Sequence, residues 1–209
     1  MSASPFLPEH FERDDESPDG VFYTPPRLVA HIDDEAIAAA GRAYLDLLPP
    51  NADLLDLMSS YLSHVPPTLQ PARLAGLGMN DAELRANEQL TDYIIHDLNR
   101  DPHLPYDDAT FAGAVITVSV QYLTQPVDVF RDIARVLRPA APLVVTYSNR
   151  MFPTKAIRIW RMLDDRDRAS LIAAYFTHSG AFGDVKARDY GTGRGDPLFA
   201  VWAHSRLDG

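Results

Sequence analysis

At 209 residues, 46% of them hydrophobic and 23% charged, the chain has apolar material for one sizeable core and is short for two, which sets aside disordered and fibrous classes. Its 19 Lys and Arg against 29 Asp and Glu give a formal charge of -10, a field that repels phosphate backbones, so no nucleic-acid partner is expected. The absence of cysteine removes disulfides, thiolate metal sites and cysteine nucleophiles, and fits a cytoplasmic protein. No stretch reads as a signal peptide, and the longest apolar run, Phe111 to Leu123, is too short to span a bilayer.

Residues 1–22 are rich in Pro, Asp, Glu and Ser without apolar period and read as a flexible N-terminal arm, leaving 23–209 as a single domain. Between Pro25 and Leu48, apolar residues recur near helical spacing, with Asp33 and Asp34 placed to start a second helix that Pro49 and Pro50 stop. A strand follows at ADLLDLM, closed by Ser59 and Ser60, then a short helix in SYLSHV. RLAGLGM from Arg73 is the second strand. Asn80 or Asp81 caps a short helix after it, and DYIIHD is the third strand.

A polar loop leads to the fourth strand, Phe111 to Ser119, the most apolar piece and therefore central. TQPVDVFRDIARVLRP carries Val127, Phe130, Ile133, Ala134 and Leu137 on one helical face, and PLVVTYS is the fifth strand. Two further helices, AIRIWRMLDD and RDRASLIAAYFTH, precede FGDVKARDY and PLFAVWAHS, which a glycine-rich link, GTGRGD, joins as an antiparallel hairpin. Lys155, Arg158 and Arg161 fall at helical spacing and read as a solvated face.

Alternating strands and helices predict an α/β fold with a parallel sheet covered on both faces. From Asp53 to Ser205 the pattern resembles class I S-adenosylmethionine-dependent methyltransferases of the type-11-like group. The segment from Phe111 to Ser148, with its LRP before an apolar strand, matches most specifically. The resemblance implies a Rossmann-like seven-stranded sheet of order 3-2-1-4-5-7-6 with strand 7 antiparallel, and S-adenosyl-L-methionine as cofactor. It also implies methyl transfer by in-line displacement to a small-molecule acceptor, with no membrane partner.

The same alignment implies the cofactor contacts. Asp56 ends the first strand. Met58, Ser60 and Leu62 stand where glycines are usual, with Ser59 between the first two, and this DLMSS motif marks a separate branch. Ser59 and Ser60 would serve a helix N-terminus there. Gly78, Met79 and Asn80 occupy the ribose end of the second strand, Asp97 and Leu98 the adenine site, and Val118, Ser119 and Val120 the end of the fourth strand.

Candidates on the acceptor side are Tyr23, Arg27, His31, His64, Ser148, Asn149 and Arg150, with His64, Asn149 and Tyr23 foremost as catalytic groups. The seven histidines are scattered without metal-ligand spacing, so no metal is expected. A nicotinamide enzyme would need glycines between Asp56 and His64, where none lie. The alternative function is a non-catalytic methyltransferase-like fold acting as a binding or regulatory protein.

Overall fold

The computed structural model describes residues 6–206. Seven strands form one sheet: β1 (Asp53–Ser59), β2 (Arg73–Gly78), β3 (Asp92–Ile95), β4 (Gly113–Thr117), β5 (Pro142–Tyr147), β6 (Lys186–Asp189) and β7 (Phe199–His204), in spatial order β3-β2-β1-β4-β5-β7-β6. Strands β1 to β5 pair in parallel, while β7 runs antiparallel between β5 and β6, as the resemblance implies.

The central strands are continuous apolar runs because both faces are covered. Leu54 packs with the cluster on one side of the sheet, and Leu55 and Leu57 with the cluster on the other. On the first side lies α2 (Asp34–Leu47), whose Ala36, Ala39, Ala40, Ala43 and Tyr44 form the buried stripe. Its N-cap is Asp33, whose carboxylate accepts from Ala36 N at 2.9 Å. On the other side α4 (Pro126–Val136) and α6 (Asp165–Ser179) bury Phe130, Ile133, Tyr175 and Phe176.

Three expectations change. Residues 6–22 of the arm expected over 1–22 lie packed against the domain, through a 3-10 turn at Pro8–Phe11 and the single-turn helix α1 (Asp19–Phe22); residues 1–5 lie outside the described residues. The segment from Thr24 to Asp33 is irregular, so α2 is the one helix between Pro25 and Leu48. Its Leu28 and Val29 face solvent and have no core to order them as a helix.

The solvated face expected around Lys155 fails as well. Lys155 is 0% exposed and lies ahead of the short helix α5 (Arg158–Met162). Its ammonium sits 3.1 Å from Asp19 and donates to the Ser17 carbonyl at 2.6 Å. Asp19 in turn accepts two bonds from Arg13, at 2.7 and 2.9 Å, and one from Asn99 at 2.8 Å. A buried charge persists only when paired, so this network explains why an apparently polar N-terminal stretch packs.

Candidate active site

The first parallel turn is built without glycine and without a helix. After β1 the chain runs irregularly to Pro66, so the short helix expected in SYLSHV is absent, and Ser59 and Ser60 cap nothing. A side-chain network shapes the loop instead. The hydroxyls of Ser59 and Ser63 both donate to Asp56 Oδ2 at 2.6 Å. Asn87 Nδ2 donates to the Ser60 carbonyl at 2.9 Å, and Gln89 Nε2 to the Val65 carbonyl at 2.6 Å. Burial pushes the Asp56 carboxyl up to about 6, against the lowering effect of the two serine hydroxyls.

Two residues at strand ends take left-handed backbone that glycine adopts freely: Met58 at φ 55° and Val118 at φ 44°. A β-branched residue such as Val118 is costly there, of order 1–3 kcal/mol, and such strain gathers at ligand sites. The close approach reserved for glycine moves to β2. A Cβ on Gly78 would lie 2.2 Å from the Ser59 carbonyl oxygen, so no side chain fits where β1 and β2 end together.

These ends open into a cavity continuous with solvent. The structure brings together in its lining Asp56, Met58, Ser59, Ser60, Gly78, Met79, Asn80, Asp97, Leu98, Val118 and Ser119 on the sheet side, and Tyr23, Arg27, His31, His64 and Arg150 on the other. Val120 is not among them, because it turns wholly into the core. Asn149 is exposed outside the cavity, and Ser148 is buried without lining it.

Asn80 is the cap expected after β2. Its Oδ1 caps α3 (Asp81–Ala86) by accepting from Glu83 N at 3.1 Å, and its Nδ2 donates to the Tyr23 carbonyl at 2.7 Å. The amide group is thereby already engaged. The charged acceptor nearby is Glu83, which the sequence pattern did not single out. Its carboxylate is buried and lines the cavity, accepting from Ser60 Oγ at 2.5 Å and Arg27 N at 2.6 Å. The Asn80-x-x-Glu83 spacing, a capping-box pattern, was the available signal.

The segment from Asp19 to His31 closes the cavity from above, joined by Phe152 beyond β5. Half-buried His64 is pushed down to about 4 by desolvation first and by the nearby His31 second, so its imidazole is neutral at neutral pH. Tyr23 is driven well above the usual phenol range by burial. Among the described residues no cluster of three His, Cys, Asp or Glu stands in metal-holding geometry, and no helix is long and apolar enough to cross a membrane.

A family described as a methyltransferase domain matches residues 62–145. That stretch starts within the glycine-free loop and ends within β5. No curated protein matches the sequence significantly.

Solved structures with this fold include the [4+2]-cyclase SpnF, at 15% identity and TM-score 0.62 over 88% of this chain and 87% of that one. An S-adenosylmethionine-dependent methyltransferase from Mesorhizobium loti is similar at 16% identity and TM-score 0.55, over 79% of this chain and 97% of that one. A SAM-dependent methyltransferase from Aquifex aeolicus is similar at 14% identity and TM-score 0.59, over 82% and 91%. By its sheet order and these neighbours the chain has the Rossmann-like class I methyltransferase fold, and its residues 62–145 are similar to a methyltransferase domain.

Proposed function

We propose that the cavity binds S-adenosyl-L-methionine along the ends of β1 to β4 and transfers its methyl group to a small molecule admitted beneath the Asp19–His31 segment. The observation that carries this reading is Glu83. It is a buried carboxylate with no cationic partner among the described residues, and it faces a cavity that Asp97 also lines.

The donor set fits the cofactor. A ribose diol and an adenine amino group offer hydrogens to be accepted, and Glu83 and Asp97 accept. Ser119 Oγ, buried in the lining with no protein partner, is a further unmatched polar atom toward the methionine part. In the assigned roles Glu83 takes the ribose hydroxyls, Asp97 the adenine amino group with Leu98 beside the ring, and Met58 to Ser60 flank the methionine portion. Met79 packs on the nucleoside.

Held by Glu83, Asp97 and the Met58–Ser60 turn, the cofactor would supply a methyl group activated on a sulfonium, which departs as a neutral sulfide when the methyl passes to the acceptor. The chain's own contribution is alignment and exclusion of water, and positioning of this kind is worth about 7–11 kcal/mol. A base adds roughly a hundred- to ten-thousand-fold. Neutral His64 is placed to accept a proton. Tyr23, held un-ionised by burial, contributes a hydroxyl donor and a ring wall.

Calorimetric titration with S-adenosylhomocysteine tests the assignment. Asp97→Ala weakens binding about tenfold or more, the worth of a hydrogen bond to a charged group, while Arg188→Ala on the distant β6 edge leaves it unchanged. Equal affinities would remove Asp97 from the adenine site.

The glycine-free loop from Asp56 to His64 favours one second reading, a methyltransferase-like binding protein of a DLMSS branch. That reading gains if no titration signal appears at millimolar ligand.

A further inference from the structure

The cation least accounted for in the cavity is Arg27. The other arginine in the lining, Arg150, donates to Asp196 at 2.8 Å, whereas the Arg27 guanidinium has no carboxylate partner among the described residues. Its Nη2 donates to the Phe22 carbonyl at 3.0 Å, and its Nη1 reaches the Pro25 carbonyl only at 3.4 Å. A guanidinium stays charged at any physiological pH, so the lining presents a permanent cation with donors to spare.

Its surroundings hold that cation rigidly. The guanidinium carbon lies 4.6 Å from the centroid of Phe22, 5.2 Å from Phe152 and 5.7 Å from Tyr23. The rings lock one another: Phe22 meets Tyr23 at 5.0 Å and Phe152 at 5.5 Å, His31 meets Phe152 at 5.4 Å, and Tyr122 stacks on Phe152 at 5.9 Å. Of these rings Tyr23, His31, Tyr122 and Phe152 line the cavity, walls against which a flat aromatic ligand can pack, and a fixed fork of donors fits a carboxylate through two parallel bonds.

Resting on the cofactor reading above, we infer that this corner is the acceptor subsite and that the acceptor is a planar aromatic carboxylate held through Arg27. The Arg27 amide is held by Glu83 beyond β2, but its guanidinium reaches Phe152 beyond β5, whose ring stacks on Tyr122 beyond β4, and so lies on the acceptor side of the cavity. Elsewhere the lining carries Asp56, Glu83 and Asp97, none of them in an ion pair among the described residues, so an anionic acceptor requires a fixed cation to enter.

Calorimetric titration of the S-adenosylhomocysteine-loaded protein with benzoate and with benzamide, its neutral isostere, tests this. Benzoate should bind about tenfold or more tighter than benzamide. Arg27→Met should abolish that preference and leave S-adenosylhomocysteine affinity within about twofold, while Arg27→Lys, with charge but no fork, keeps part of it.

Equal binding of the two probes, or no benzoate binding at about 10 mM, overturns the inference. So does an Arg27→Met variant that loses S-adenosylhomocysteine rather than benzoate, since Arg27 would then hold the cofactor's own carboxylate. Failure of the wild type to bind S-adenosylhomocysteine defeats the cofactor reading separately, and the benzoate preference is still readable on the unloaded protein.

Discussion

Replacing Asp56 with Asn isolates the cost of a buried carboxylate in the loop that stands in for a glycine turn. In the folded chain the Asp56 carboxyl titrates near about 6, against 3.8 for an ordinary aspartate. A raised folded value means that the native state holds the proton more tightly. The stabilising contribution is therefore complete below about pH 4 and is lost as pH rises through about 6. At 1.36 kcal/mol per pH decade the loss amounts to about 3 kcal/mol by pH 8.

Asn does not ionise, and its Oδ1 can take the place of the Asp56 oxygen that accepts from both Ser59 and Ser63. Urea unfolding from about pH 4 to pH 8 should therefore show equal stability at the acid end and a gain of up to about 3 kcal/mol for Asp56→Asn at the basic end. Other titrating groups occur in both proteins and cancel in the difference. A pH-independent difference, or a variant less stable at pH 8, would refute the assignment of burial as the dominant cause.

Lys155→Met removes a fully buried cation from Asp19 and from the Ser17 carbonyl while roughly preserving side-chain length. A loss of about 3 kcal/mol is expected, which lowers Tm by about 6–12 °C; a loss below about 1 kcal/mol would mean that Arg13 and Asn99 suffice. Gly78→Ala forces a methyl against the Ser59 carbonyl oxygen, so it should cost about 1–3 kcal/mol in urea unfolding and weaken S-adenosylhomocysteine as β1 and β2 separate.

Asp19 titrates below its ordinary value because the bonds from Asn99, Arg13 and Lys155 outweigh the desolvation that alone would raise it. Its contribution is present above about pH 4 and is lost as pH falls further, so Asp19→Asn should flatten the acid limb of the stability profile. An unchanged acid limb would count against the network.

The sheet was legible because its strands carry a period that burial imposes. β4 and β5 are apolar throughout since helices cover both faces, and GTGRGD is too short to hold a crossover helix, which fixes β7 as antiparallel. Most of the cavity lining was implied by the family resemblance, and it lies where ligands collect, at the carboxyl ends of parallel strands.

What escaped the sequence depends on partners distant in the chain. Lys155 shows helical spacing, yet its burial is decided by Asp19, far upstream in the sequence. Glu83 looks like any acid in a first helical turn until Ser60 and the Arg27 amide arrive to hold it. The SYLSHV segment fails to form a helix because Asp56, Asn87 and Gln89 offer its serines and backbone better partners than a helical turn bounded by Pro66.

The central claim is that Glu83 and Asp97 frame a nucleoside at the ends of β2 and β3. A crystal structure of the chain soaked with S-adenosylhomocysteine tests it most directly. The account predicts both ribose hydroxyls within hydrogen-bond distance of the Glu83 carboxylate and the adenine amino group on Asp97. A nucleoside seated elsewhere, or a cavity left empty with Glu83 still bound only to Ser60 and Arg27, would contradict it.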